Sequence, residues 1–139
     1  MTAGALLPQR LLKQANIADT VILLPFAVPL VAAHYIRFWA WLDEAFGGSG
    51  LPDFEPDHLV FVNLAGAFAV LGVTFRAQSG TVEAARSVGL FKLVVTVIFA
   101  VALFTGAARI FAVPLLADLV TGVALLILAQ TARSNTKQA

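Results

Sequence analysis

Asp118 has the clearest chemical potential in this sequence, because it interrupts an otherwise apolar run from Ile110 to Ala129. A run of that length is enough to cross a bilayer. A carboxylate at such a depth is tolerated only when it is paired, protonated or turned toward an internal cavity. Two interpretations follow. Asp118 is either a buried, satisfied carboxyl group, which pairs with Arg37 or His34 or donates as a neutral acid to a carbonyl, or a group that titrates or binds a ligand.

Three further polar residues, His34, Arg37 and Asn63, occur in the outer parts of two other apolar segments. Asp118 is placed roughly 12 Å below the outer end of its own segment, at 1.5 Å per helical residue. We therefore predict that these four residues converge on one polar pocket that opens outward. The alternative roles are a hydrated His34, an Arg37 that extends to lipid headgroups and an interhelical hydrogen bond from Asn63. Lys92 is expected to extend to the interface, too far in depth from Asp118 for a salt bridge.

The composition indicates a protein whose solvent includes lipid. Of the 139 residues, 60% are hydrophobic and 12% are charged, against about 25% charged in a soluble domain. The net charge of +1 is too small to indicate a nucleic-acid partner. Cysteine is absent, which excludes disulfides and thiolate metal sites. No catalytic motif is present, so we predict no enzyme activity, metal or cofactor.

Four apolar segments predict an all-α, antiparallel four-helix transmembrane bundle in a single domain. The predicted spans cover residues 19–42, 58–75, 87–107 and 110–131. Thr81 is a predicted N-cap for the third span. Pro25 and Pro29 predict a bend in the first span. The preceding residues, 5–15, predict either an interfacial helix or a frayed terminus.

Small residues predict which helix faces pack inside the bundle. In the fourth span the inward stripe is Pro114, Asp118, Gly122, Leu125 and Ala129. A matching seam in the second span is Ala65, Ala69 and Gly72. Stripes of this kind are typical of closely packed membrane helices.

Two long stretches, His58 to Arg76 and Arg86 to Ile127, resemble small bacterial four-helix membrane proteins of the DoxX-like kind. The shared motifs are an Asn-Leu-x-Gly at Asn63 and an Ala-Asp at Asp118. The resemblance implies the fold above. It also implies a family in which some members are linked to quinone-coupled sulfur oxidation and most have no assigned activity.

Positive charges favour an orientation with both termini in the cytoplasm of a bacterial inner membrane. The alternative is that the first apolar segment is a cleaved secretory signal with a small-residue site at 31–33. The leading functional hypothesis is an integral membrane protein that binds a lipid, a quinone, another small amphiphile or a partner subunit through the polar cluster. The alternatives are a proton-coupled transporter that acts as a homo-oligomer and an accessory subunit of a membrane redox enzyme.

Overall fold

The structure, a computed structural model, describes residues 3–79 and 81–137, with side chains for 8–78 and 81–134. The described residues form helices joined by loops. The helices are α1 (Ala3–Ala27), α2 (Pro29–Ala45), α3 (Pro56–Ser79), α4 (Val82–Phe104) and α5 (Ala112–Lys137), with a 3₁₀ turn at Arg109–Phe111 before α5. These ranges contain no strand. The prediction of an all-α protein is confirmed.

Three stretches are each long and apolar enough to cross a membrane: Pro56–Gln78, Val82–Phe104 and Arg109–Ser134. The pair α1 and α2 adds a fourth only when the two are taken together as one bent span. Large apolar side chains cover the outside of these helices, and Phe104 is 94% exposed. Since water would not tolerate so much apolar surface, the three or four candidate spans are consistent with an integral membrane protein.

The first predicted span is broken at Val28. Its two parts, the end of α1 and most of α2, meet at 112°. Val28 adopts an extended conformation (φ −102°, ψ 111°), because a residue that precedes proline is disfavoured in the helical region. Pro29 then begins α2, where its missing N–H costs nothing. The predicted bend is therefore a sharp corner between two helices.

From residue 8 onward the N-terminal stretch is helical rather than frayed, and its place at the membrane interface stays a prediction. It is continuous with α1, and Leu12 packs in a buried cluster with Ala85, Val88 and Leu125. This cluster joins α1, α4 and α5. Leu12 is only 2% exposed, so this leucine faces other helices and not the outside of the protein.

Two glycines bring α4 and α5 into close contact. A Cβ at Gly122 would lie 3.1 Å from the carbonyl oxygen of Gly89 and 3.2 Å from Cβ of Lys92. Leu125 and Ala129 continue the same buried stripe, as predicted for this helix. Thr81 caps α4, where its hydroxyl accepts a hydrogen bond from the Ala84 N–H at 3.1 Å, which confirms that prediction.

A buried carboxylate holds the far end of α2 in place. Asp43 is fully buried and accepts hydrogen bonds from the backbone N–H groups of Ile110 at 2.7 Å and Gly50 at 3.0 Å. The Ile110 N–H lies in the turn that begins α5, where a free donor needs a partner. Asp43 therefore ties α2 both to the following loop and to α5.

Helices α3 and α4 are neighbours in the chain but contact each other little. The main partner of α3 is α1, and the main partner of α4 is α5. The closest approach of α3 to α1 is at Gly66, where an added Cβ would lie 2.6 Å from the backbone of Phe26 and Ala27. This arrangement leaves a space between α3 and the α4–α5 pair.

Candidate ligand-binding site

A cluster of four charged side chains, hereafter the charged cluster, joins α1, α3, α4 and α5: Asp19, Arg76, Lys92 and Asp118. Lys92 is at its centre. The Lys92 Nζ atom donates to Asp118 Oδ1 at 2.6 Å and to Asp19 Oδ1 at 2.8 Å. Arg76 Nη2 lies 3.7 Å from Asp19 Oδ2. The lysine side chain is 7% exposed and each carboxylate side chain is 18% exposed, so the three groups lie mostly inside the protein.

The salt bridge between Lys92 and Asp118 corrects the predicted separation in depth. The predicted apolar span began at residue 87, whereas the helix that carries it, α4, begins at Val82, directly after the predicted N-cap. Lys92 consequently lies ten residues, about 15 Å, into the helix rather than near its end. The close contact between Gly89 and Gly122 brings Cβ of Lys92 next to α5 at Gly122. Gly122 is one helical turn after Asp118.

Asp19 and Arg76 were not predicted as site residues. Asp19 was taken as the first residue of a span, but α1 continues on both sides of it. Arg76 directly follows the second predicted span, which ends at residue 75. Both residues lie at the ends of predicted spans, where charged residues are common, so no signal in the sequence distinguished them.

A cavity of about 740 Å³ lies next to the charged cluster and is lined by residues from all five helices. The four charged residues are all part of its lining. Aromatic side chains form much of the remaining wall: Phe26, Trp39, Phe54, Phe68, Phe91, Phe99 and Phe111. Cavities of roughly 300–1,000 Å³ with apolar walls and a few polar groups are typical ligand sites.

The polar and apolar parts of the cavity are separated. The charged cluster is gathered on α1, α3, α4 and α5, whereas α2 and the loop after it contribute Ile36, Trp39, Leu51 and Phe54. The guanidinium of Arg76 on α3 lies across from α4, 5.7 Å from the centre of the Phe91 ring. The cavity therefore has a charged part and an aromatic part, as an amphiphile does.

Two buried donors in the cavity lining have no hydrogen-bond partner among the described residues. They are Nε1 of Trp39 and Nε of Arg76. A buried donor without a partner is costly in a protein interior. Both residues line the cavity, but the two nitrogen atoms themselves are buried behind its surface and are not exposed to its interior.

The predicted small-residue seam of α3 lines this cavity instead of packing against a helix. Ala69 and Gly72 are lining residues, and a Cβ at Gly72 would meet nothing within 4 Å. Ala65 is exposed. The glycine that makes close helix contact on α3 is Gly66. The seam was predicted to pack closely against another helix. The small size of Ala69 and Gly72 instead leaves space for the cavity.

The other three predicted site residues do not meet Asp118. His34 is exposed, and its Nδ1 lies 3.2 Å from the carbonyl oxygen of Leu30. Arg37 is exposed and lines a separate, smaller cavity near the loop. Asn63 donates to the carbonyl oxygen of Leu59 at 2.5 Å, one turn earlier in its own helix. The partner of Asp118 is Lys92, so the predicted pairing with Arg37 or His34 is wrong.

No family model, no curated protein and no solved structure matches this chain. The resemblance to DoxX-like proteins therefore stays a prediction, and the site is interpreted from its own geometry. Among the described residues, no three histidine or acidic side chains are grouped as a metal site would require.

Proposed function

We propose that this chain is an integral membrane protein that binds one small amphiphile in the cavity. The polar group of the ligand lies at the charged cluster, and its apolar part lies among the aromatic side chains. The observation that carries this proposal is the coincidence of one 740 Å³ cavity with both features. Of the predicted site residues, Asp118 keeps its role, while Lys92, Arg76 and Asp19 replace His34, Arg37 and Asn63 as its supports.

The ligand reaches the cavity from the bilayer in this proposal. The sparse contact between α3 and α4 supports such a route, because both helices line the cavity without sealing it against each other. A lipid-soluble molecule is already concentrated in the bilayer, so lateral entry avoids any transfer through water.

The proposed membrane arrangement is an antiparallel bundle in a bacterial inner membrane with both termini in the cytoplasm. The order of contacts supports the antiparallel pairing of α4 and α5, since Gly89 meets Gly122 while the later Lys92 meets the earlier Asp118. The distribution of Lys and Arg supports the orientation. Proton-coupled transport and an accessory role in a redox enzyme are the alternative functions. No contact of the described residues favours either of them.

The two tryptophans allow a direct test of binding. Trp39 lines the cavity, whereas Trp41 does not and is 60% exposed. The Trp41→Phe variant keeps only Trp39, and the Trp39→Phe variant keeps only Trp41. Both variants are placed in lipid nanodiscs and titrated with hexadecyl compounds that carry bromine, a fluorescence quencher, near the tail end and differ in their head groups.

The proposal expects saturable quenching of Trp39 by at least one of these probes at low probe-to-lipid ratios. Trp41 reports ordinary partitioning into the bilayer and should show only weak, linear quenching. Equal quenching of both tryptophans by every probe would contradict an internal site. Extraction of the purified protein and mass spectrometry of the extract would then identify the natural ligand.

A further inference from the structure

We propose that the ligand of this cavity carries no net charge and has a hydroxyl head group. The inference rests on the proposed function and names the chemical class of its ligand. The charged cluster contains two carboxylates, on Asp19 and Asp118, and two cations, on Arg76 and Lys92. Its formal charge is therefore zero before any ligand binds.

The balance of charge disfavours an ionic head group. Each of the four charges already has an opposite charge within 3.7 Å. An anion or a cation placed beside them would add one unbalanced charge in a region shielded from water, where desolvation is expensive. An uncharged polar group adds no such charge.

One hydrogen-bonding group that is left over in the cluster matches a hydroxyl. Asp118 uses only Oδ1 toward Lys92, and its Oδ2 has no hydrogen bond or ion pair with the described residues. A hydroxyl donates one hydrogen bond, so it can satisfy this free carboxylate oxygen without adding a charge.

The test compares head groups on one hexadecyl chain. Hexadecanol, hexadecylglycerol ether, hexadecyl sulfate and hexadecylamine are each used to relieve the quenching of Trp39 by a tail-brominated probe in the Trp41→Phe protein at neutral pH. The glycerol ether is a neutral control for the bulk of the sulfate. We expect the two uncharged compounds to act at concentrations at least about tenfold lower than either ion, which is one order of magnitude in affinity.

Two variants shift the charge of the cluster in opposite directions. Arg76→Gln leaves it at −1 and should improve hexadecylamine relative to hexadecanol, and Asp118→Asn leaves it at +1 and should improve hexadecyl sulfate. Arg76 is the most exposed member of the cluster, with 25% of its side chain accessible, so its variant is the safer one to fold. Arg37→Gln removes a cation outside this cavity and should leave the order of the four compounds unchanged.

The outcomes separate this inference from the proposed function. Saturable binding that favours an ionic compound, or a ligand order that Arg76→Gln does not change, overturns the neutral-ligand inference and leaves the binding site standing. Absence of saturable quenching with every head group overturns both. Tighter binding of the two uncharged compounds when the charged cluster is intact, together with the expected shift in Arg76→Gln, supports the inference.

Discussion

Asp19 and Asp118 accept hydrogen bonds from the same ammonium nitrogen, Lys92 Nζ, at 2.8 and 2.6 Å. They lie on α1 and α5, so one lysine on α4 connects three helices. The consequence is an asymmetry between the members of the cluster. Loss of one carboxylate leaves the lysine paired, whereas loss of the lysine leaves Asp118 with no cation among the described residues.

The first prediction is that Lys92→Met destabilises the protein more than Asp118→Asn does. Removal of one partner of a buried ion pair costs about 3–5 kcal/mol, since the other charge is left uncompensated. Lys92→Met should approach that value, and Asp118→Asn should fall below it because Asp19 still pairs with the lysine. Thermal and denaturant unfolding in detergent measure both. The double variant should be more stable than Lys92→Met alone, and simple additivity of the two single effects would contradict the shared pairing.

The second prediction concerns the contact between α4 and α5. Gly122→Leu forces a side chain into a space where even a Cβ would lie 3.1 Å from the Gly89 carbonyl oxygen. The two helices must separate, and overpacking of this kind costs about 1–3 kcal/mol or more. A fall in the unfolding midpoint measures the effect. Gly72→Ala is the matched control, because a Cβ there meets nothing within 4 Å; equal losses in the two variants would argue against the close crossing.

The third prediction separates binding from stability. Gly72→Leu places a side chain into the cavity that Gly72 lines. We expect the affinity for the brominated probes to fall at least about tenfold, while the free energy of unfolding changes by only about 0.5 kcal/mol, as for other uncrowded sites. Ala67→Leu, on the exposed side of the same helix, should change neither quantity. Undiminished quenching in Gly72→Leu would place the probe outside the cavity.

The fourth prediction concerns Asp43. Asp43→Ala removes the acceptor of two backbone N–H groups, those of Ile110 and Gly50. A hydrogen bond to a charged group contributes about 1.5–3 kcal/mol, so a loss of at least about 1.5 kcal/mol is expected. Asp53→Ala, at an exposed carboxylate of the following loop, is the control for charge alone. Similar melting temperatures for the two variants would show that Asp43 does not hold the loop.

The sequence was informative where a local rule decides the structure. Thr81 was predicted as an N-cap because a hydroxyl before a helix satisfies a free N–H, and it makes that bond. Pro25 and Pro29 indicated a bend for a similarly local reason. The stripe through Gly122, Leu125 and Ala129 follows from helical periodicity.

The partners of Asp118 depended on information that periodicity does not carry. The depth of Lys92 was measured from residue 87, where the apolar span was taken to begin, and element boundaries are the least certain part of a sequence-based prediction. Asp19 lies well inside α1 because this helix extends back to Ala3. The first predicted span also breaks at Val28. His34 and Arg37 moved away from Asp118 for the same reason, because α2 turns at 112° from α1 instead of continuing it.

The two attachments of α2 determine how this helix can move. One end is fixed by the chain itself at Val28, and the other is fixed by the Asp43 carboxylate through the Ile110 N–H. Between them, Ile36 and Trp39 form part of the cavity wall. Rotation of α2 about its proline corner therefore breaks the hydrogen bond from the Ile110 N–H to Asp43 and uncovers the buried Ala32 and Ile36, so this part of the cavity wall is held along the whole helix.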